Sequence, residues 1–192
     1  ASIAKYSCES IAKSKKEIHR KKFGFFQSEQ SNFLDIARST QMLQISSDPI
    51  IFQRHPFVWL VEAADDICYN IIDLEDAHRL GIISHEKCLE LFINFIQSIA
   101  SEEIDKVNLR IKSISNKNDR IAYLRAKTIH YLILSCIDQY IANESKIFSG
   151  NMSTSIFDLV KADHSAIQEI EDFTIENIYN HRSVIEIENA GY

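Results

Sequence analysis

Apolar residues recur along this chain at the three- and four-residue spacing of amphipathic helices, and short polar stretches separate the runs. Ser28 is the expected N-cap of the first long helix, and Asp119 is the expected N-cap of the longest one. Pro56 suits the first position of a helix, because its missing N–H would have no partner there, and Gly81 is a natural helix end. The pattern predicts helices over residues 29–44, 56–80, 84–100, 119–148 and 163–181.

Shorter segments are less regular. Ser101 is followed by two glutamates and resembles another helix N-terminus, because acids favour the positive end of the helix dipole. A short apolar element is expected around residues 156–160. Residues 183–192 alternate between apolar and polar side chains, which fits either a strand or a continuation of the last helix.

The chain is also poor in turn-forming residues, with Gly 4 and Pro 2 in 192 residues. A sheet protein of this length needs many turns, so long helices joined by short connections fit better. We therefore predict an all-α fold in which residues 1–192 form a single helical region.

The helix that begins at Pro56 carries an unusual acidic stripe. Its members fall within an arc of roughly 100° of the helix surface, and they are Glu62, Asp65, Asp66, Tyr69, Asp73 and Asp76. The rest of the circumference is apolar, so the helix is expected to be largely buried. The carboxylates repel one another, and a divalent cation or facing basic groups would relieve that repulsion. The alternative is a solvated acidic face, which is the common role of such a stripe.

Composition narrows the classes of function. A net charge of −6 argues against a broad nucleic-acid surface, so nucleic acid is an unlikely main partner. The four cysteines show no C-x-x-C spacing, which favours reduced thiols in a cytoplasmic protein over a zinc site or a disulfide framework. The sequence contains no apolar run of about 18 residues, so no membrane span is expected.

Three segments resemble a known family. Arg54-His55-Pro56, the run Glu-Ala-Ala-Asp-Asp-Ile-Cys-Tyr at 62–69 and Asp-Leu-Glu-Asp-Ala at 73–77 are similar to the last metal-site helix of bacterial dGTP triphosphohydrolases, which are HD-domain enzymes. Lys5-Tyr6 and the segment 21–29 add weaker matches, although Ser7 stands where the family usually has proline. The resemblance implies that the chain is the C-terminal portion of a larger HD-like helical domain, with 56–80 as its metal- and substrate-site helix.

The resemblance also implies roles for individual residues. Asp65 corresponds to a carboxylate ligand of a divalent metal such as Mg²⁺ or Mn²⁺, and Tyr69 and Asp73 correspond to residues that contact the deoxyribose. Triphosphate is anionic and needs cationic donors. Lys5 and Lys22 are candidates by their positions in the matching segments, and Arg120 and Arg125 are candidates from the long predicted helix; the alternative for each is a solvent-exposed side chain. The implied reaction converts dGTP, or another dNTP, to a deoxynucleoside and triphosphate. A homo-oligomer is expected, because the family commonly forms oligomers.

The sequence departs from the family at the rest of the metal site. None of its seven histidines is followed by Asp, so the His-Asp pair that completes the family's site is absent. We identify no catalytic residue within the chain and expect it to be inactive in isolation, with the missing ligands supplied by an N-terminal part. His55 is interpreted as a capping or packing residue. The alternative function is a non-catalytic helical module for regulation or oligomerisation.

Overall fold

The structure is a computed structural model that describes residues 5–191. The all-α prediction is confirmed, since helices dominate and the sheet consists of one small hairpin. The helices are α1 Gln30–Ser39, α2 Pro56–Arg79, α3 His85–Ile99, α4 Ile104–Ser113, α5 Lys117–Ala142, α6 Glu144–Phe148, α7 Ile156–Asp163, α8 Ser165–Thr174 and α9 Arg182–Ala190. The strands are β1 Gln44–Ser47 and β2 Ile50–Phe52, and short 3₁₀ turns occupy Ser10–Ala12, Ile18–Arg20, Gln27–Glu29 and Ser101–Glu103. Within the described range, none of the helices combines the length and the apolar composition that a membrane crossing requires.

The described residues form two compact units. The first contains residues 5–63 and 138–158, and the second contains residues 64–137 and 159–191. Helices α2 and α5 contribute residues to both units.

The first unit has a small aromatic core. Phe25 stacks on Phe33 with ring centroids 4.2 Å apart, and Phe33 meets Phe52 edge to face at 5.7 Å. All three side chains are buried, together with Ala37 of α1 and Ile50 of β2. The core therefore joins α1 to the hairpin, in which β1 and β2 run antiparallel.

The hairpin was not predicted. The expected helix over residues 29–44 ends at Ser39, and Gln41 has a positive φ of 56°, which is incompatible with continuing the helix. The expected N-cap, Ser28, lies in the preceding 3₁₀ turn, and no side chain caps α1. The pattern of apolar residues had merged a short helix with a strand, because short apolar runs fit both periods.

A buried ion pair lies at the beginning of α2, within the first unit. The Nη1 atom of Arg54 lies 2.6 Å from Oε2 of Glu62, and the two residues are 4% and 9% exposed. Nη2 of Arg54 donates to the carbonyl of Ile18 at 2.9 Å, and the guanidinium lies 4.9 Å from the ring centroid of Trp59. Glu62 is thus neutralised by a neighbouring arginine and is not part of an open acidic stripe.

Several helix ends in the second unit match the sequence analysis. Gly81, with φ of +72°, follows the end of α2, and the hydroxyl of Ser84 accepts from the Lys87 N–H at 3.1 Å to cap α3. Asp119 does not cap α5. The side chain of Asn116 does so instead, accepting from the N–H of Asn118 at 2.8 Å. The helix consequently begins at Lys117.

Two other boundaries differ from the predictions. The helix expected over residues 119–148 is divided into α5 and α6 at Asn143, whose side chain donates to the Gln139 carbonyl at 2.9 Å. The helix expected over residues 163–181 becomes α8 followed by a π-helical segment, Ile175–Tyr179. Of the segment 183–192, residues 183–190 belong to a separate helix, α9, so they are neither a strand nor a direct continuation of the preceding helix, and Tyr192 lies outside the described residues.

The expectation that α2 is largely buried is wrong for part of its surface. Val58, Ile67 and Leu74 are buried, but Val61 is 62% exposed and Tyr69 is 59% exposed. Other described residues therefore cover only part of the apolar surface of α2.

We expect replacement of Glu62 to destabilise the first unit. Glu62→Gln leaves the buried Arg54 guanidinium without a counter-ion and should lower the free energy of unfolding by about 3 kcal/mol, measured by urea denaturation. Asp35→Asn is the control, because it breaks a surface ion pair with Arg38 in which both side chains are about three-quarters exposed, and it should leave stability almost unchanged. Equal effects of the two variants would contradict the importance of burial.

A pair of histidines in the second unit predicts that the stability of this unit decreases at acidic pH. Nε2 of His78 lies 3.3 Å from Nδ1 of His85, and burial lowers the pKa of both rings. The unfolded chain, in which histidine has a pKa of about 6.5, binds more protons than the folded chain as pH falls below that value. Stability should therefore be fully present above about pH 6.5 and decrease on acidification until the folded-state pKa is passed.

Urea unfolding at several pH values between 7.5 and 5 measures this dependence. The double variant His78→Gln and His85→Gln should show a flatter profile than the wild type, whereas His130→Gln, at an exposed position of α5, should retain the wild-type profile. Identical profiles for the wild type and the double variant would show that the pair does not contribute.

Candidate functional site

Helix α2 displays the three residues of the predicted site at four-residue intervals. Asp65, Tyr69 and Asp73 therefore share one side of the helix. Asp65 is exposed, Tyr69 is 59% exposed and Asp73 is half-buried. This side of α2 is therefore accessible to solvent at Asp65 and Tyr69 and partly covered at Asp73.

The cover at Asp73 is a tyrosine from the π-helical segment. The hydroxyl of Tyr179 donates to Oδ2 of Asp73 at 2.7 Å. The rings of Tyr179 and Tyr69 lie 5.6 Å apart between centroids and are tilted by 41°. These contacts bring together Tyr69, Asp73 and Tyr179, although 106 residues separate the last two.

The environment of Tyr179 keeps its hydroxyl protonated. Burial raises its pKa far above the ordinary value, and hydrogen bonding with Tyr69 and with Asp73 raises it further, as does the charge of Asp73. A phenol with so high a pKa remains a hydrogen-bond donor throughout the physiological range. Asp73 is thus supplied with a permanent donor on one of its two carboxylate oxygens.

A cavity of about 210 Å³ adjoins this cluster, and its lining is Tyr69, Asn70, Glu171, Thr174, Ile175 and Tyr179. Two of the polar lining groups already have partners, since Asn70 donates to the Asp66 carbonyl at 2.8 Å and Glu171 accepts from Lys161 at 2.9 Å. The cavity, bordered by tyrosine rings and a carboxylate, offers both an apolar contact surface and hydrogen-bond acceptors. Such a combination suits a small ligand with a hydroxyl-bearing ring.

The two arginines predicted to bind phosphate make contacts within the protein. Nε of Arg120 donates to the Ile114 carbonyl at 2.6 Å, which caps the end of α4. Arg125 pairs with the buried carboxylate of Glu75 at 2.7 Å. Arg79 pairs with the same carboxylate at 2.9 Å. Both predicted arginines therefore have structural partners, and their role towards phosphate stays a prediction.

The two predicted lysines belong to the first unit. Nζ of Lys5 lies 3.7 Å from Oε1 of Glu62, next to the buried pair that Glu62 forms with Arg54. Nζ of Lys22 lies 6.0 Å from the ring centroid of Tyr6. The cations and aromatic rings of this unit thus lie near the beginning of α2, and the phosphate role of both lysines likewise stays a prediction.

The described residues do not complete a metal site. No group of three or more His, Cys, Asp or Glu side chains with suitable geometry occurs between residues 5 and 191. His55 accepts from the Phe57 N–H through Nδ1 at 3.3 Å, which confirms its interpretation as a capping residue. Asp65 alone provides too few ligands for a divalent transition metal, so a metal would need further ligands from outside these residues.

Sequence reasoning missed Tyr179. It lies in a segment that looked like the interior of a helix, and a single tyrosine there carries no local signal. Its relation to Asp73 results from the path of the chain through the second unit and from the π-helical segment, neither of which the apolar pattern encodes. Only an observation of spatial proximity could have identified it.

Comparison with known proteins confirms the predicted resemblance. No family model matches the chain. It is 29% identical over its whole length to a deoxyguanosinetriphosphate triphosphohydrolase-like protein of Synechocystis sp. and 27% identical over 98% of its length to one of Listeria monocytogenes. A deoxyguanosinetriphosphate triphosphohydrolase of Salmonella typhimurium is 26% identical over 90% of the chain. The matches cover 42%, 40% and 34% of these relatives, in their C-terminal parts, so the chain spans well under half of their length.

The cysteine between the site residues gives a chemical test of the exposure of α2. Cys68 is exposed, whereas Cys8, Cys88 and Cys136 are buried. Burial raises the pKa of Cys88 to about 12 and that of Cys136 to about 11, which leaves almost no reactive thiolate. Iodoacetamide at pH 8 should therefore alkylate Cys68 selectively, as measured by peptide mass spectrometry. All four should react in urea, and labelling of native Cys88 as fast as Cys68 would contradict the burial pattern.

Proposed function

We propose that this chain forms the C-terminal part of a metal-dependent dNTP triphosphohydrolase, which converts dGTP and water to deoxyguanosine and inorganic triphosphate. The observation that carries this proposal is the similarity over the whole chain to proteins named deoxyguanosinetriphosphate triphosphohydrolase. The accessible side of α2 supports it, because Asp65, Tyr69 and Asp73 share one side of this helix and Tyr69 lines a cavity.

The sugar of the substrate is proposed to bind along α2. Asp73 would accept a hydrogen bond from the 3′-hydroxyl of the deoxyribose, and the ring of Tyr69 would pack against the apolar face of the sugar. A carboxylate is a strong acceptor for a hydroxyl donor, and an aromatic ring provides area at small cost in side-chain entropy. The half-buried position of Asp73 next to the exposed Tyr69 is consistent with this division of roles.

The triphosphate requires positive charge, for which Lys5, Lys22, Arg120 and Arg125 are the proposed sources. The arginines would have to exchange their present partners, the Ile114 carbonyl and the Glu75 carboxylate, for phosphate oxygens. Exchange is costly at Glu75, since that carboxylate is only 4% exposed. Arg125 is therefore the weakest of the four candidates within this chain.

The metal would be Mg²⁺ or Mn²⁺, bound in part by Asp65. When bound, such an ion supplies Lewis acidity and activates water. The other ligands, a histidine and a His-Asp pair, would lie outside this chain, because the seven histidines include no His-Asp sequence. The described residues lack a complete metal-binding group, so we expect the chain by itself to be inactive.

Further expectations accompany the proposal. Residues 1–192 would act as one helical region of the larger enzyme, with 56–80 as its site helix. The enzyme would be cytoplasmic and a homo-oligomer. Nucleic acid is not proposed as its main partner, because the net charge of −6 repels a polyanion.

A second candidate function is a non-catalytic helical module for regulation or oligomerisation. The observation that favours it is the absence of a metal-binding group among residues 5–191. The two candidates differ in what the rest of the protein contains, and an activity assay on the full-length protein separates them.

We expect the full-length protein to release inorganic triphosphate from dGTP in the presence of Mn²⁺ or Mg²⁺, measured by ion-exchange chromatography. Asp65→Asn should reduce kcat at least about a hundredfold, because loss of a metal ligand removes several kcal/mol of transition-state stabilisation. Asp105→Asn, at an exposed position in the first turn of α4, should behave as wild type. Full activity of the Asp65 variant would refute its metal role, and a wild-type protein that releases no triphosphate would favour the helical module.

A further inference from the structure

Tyr179 occupies an unusual position in the backbone. The segment Ile175–Tyr179 continues α8 with π-helical hydrogen bonding. A π-turn contains an additional residue compared with an α-turn and rotates the side chains that follow it. Tyr179 is the last residue of this segment and contacts Asp73, and short π-segments of this kind occur frequently at functional sites.

The contact leaves Asp73 with capacity for another donor. Tyr179 donates to Oδ2 at 2.7 Å, a short distance that is typical of a hydroxyl bonded to an ionised carboxylate. A carboxylate accepts up to about four hydrogen bonds through its two oxygens, so Oδ1 and the second lone pair of Oδ2 can accept from a ligand. The bond from Tyr179 restricts rotation of the carboxylate and thereby fixes the direction in which it accepts.

Tyr179 also contacts Tyr69. The two rings lie 5.6 Å apart between centroids, and both line the cavity of about 210 Å³. The hydroxyl of Tyr179 donates its hydrogen bond to Asp73, and its contact with Tyr69 is between the two rings. One side chain therefore orients both residues of α2 to which we assign contact with the sugar.

We propose that Tyr179 is a positioning residue for the sugar site: its hydroxyl holds the Asp73 carboxylate in the orientation that accepts the substrate's 3′-hydroxyl. This inference rests on the proposed function, in which Asp73 binds that hydroxyl. On this proposal the π-helical segment contributes to substrate selection. A nucleotide without a 3′-hydroxyl cannot donate to Asp73, so the orientation of that carboxylate does not strengthen its binding.

The test compares Tyr179→Phe with the wild-type full-length protein on two substrates, dGTP and 2′,3′-dideoxy-GTP. Loss of the hydroxyl should raise KM for dGTP about tenfold, which corresponds to one hydrogen bond to a charged group, while kcat changes by less than about twofold. KM for the dideoxy nucleotide should change by less than about twofold, because that substrate has no 3′-hydroxyl for Asp73 to bind.

Controls separate this role from general stability. Tyr123→Phe removes the hydroxyl of a half-buried tyrosine on α5 and should leave both KM values unchanged. Thermal unfolding identifies any Tyr179→Phe protein that is not folded. In that case Tyr179→His, which retains a ring N–H donor, provides the second variant, and it should restore part of the preference for dGTP over the dideoxy nucleotide.

Binding provides a readout that does not need turnover. The Kd values of the α,β-imido analogue of dGTP and of its 2′,3′-dideoxy counterpart should differ in the wild type, and the difference should disappear in Tyr179→Phe. A protein that binds with this preference but releases no triphosphate would refute the proposed function while supporting the role of Tyr179.

Other outcomes overturn the inference. Equal losses on both substrates would show that Tyr179 is only structural, and unchanged KM values would show that the contact has no effect on binding. A lower KM for dGTP in Tyr179→Phe would show that the tyrosine competes with the substrate for Asp73. In each of these cases triphosphate release by the wild type would leave the proposed function standing. Absence of both nucleotide binding and triphosphate release would refute both ideas.

Discussion

A carboxylate that is removed from water needs a partner, and helix α2 carries several in one stretch of chain. The structure provides different partners for three of them. Glu62 pairs with Arg54, Glu75 pairs with Arg79 and Arg125, and Asp73 accepts from the hydroxyl of Tyr179. Asp65 and Asp76 remain exposed. The chemistry available at α2 depends on this distribution, because charged partners neutralise Glu62 and Glu75, whereas a neutral phenol leaves the negative charge of Asp73 in place.

The partners explain why part of the site could be predicted from sequence and part could not. The spacing of Asp65, Tyr69 and Asp73 is a property of one helix, so their common side follows from 3.6 residues per turn. Tyr179 comes from a distant segment, and its position depends on long-range packing. The same limit applies to the arginines, since nothing near Arg125 in the sequence indicates that Glu75 is its partner.

Local capping signals predicted the fold well where they were unambiguous and failed where neighbouring residues offered equivalent caps. Ser84 stands alone before α3, and its hydroxyl makes the expected bond. Before α5, Asn116 and Asp119 are three residues apart, and both residue types favour the N-cap position. Asn116 provides the cap, and the helix gains a half-turn at its start. The hairpin at residues 44–52 was missed because its strands are too short to show the two-residue period of a β-strand.

The charge of the chain sets a condition on any function that involves triphosphate. A net charge of −6 repels a polyanion at long range, so binding has to depend on a few cations placed close to the phosphates. Arg54, Arg120 and Arg125 hold protein carboxylates or carbonyls, a use that suits the fixed fork geometry of guanidinium. Lys5 likewise lies next to a carboxylate, that of Glu62, so under the proposed function cations outside the chain would add to the attraction. Under the proposed function, a metal ion bound in part by Asp65 would bring positive charge close to the phosphates, and for that reason binding of nucleotide and metal at this helix would be interdependent.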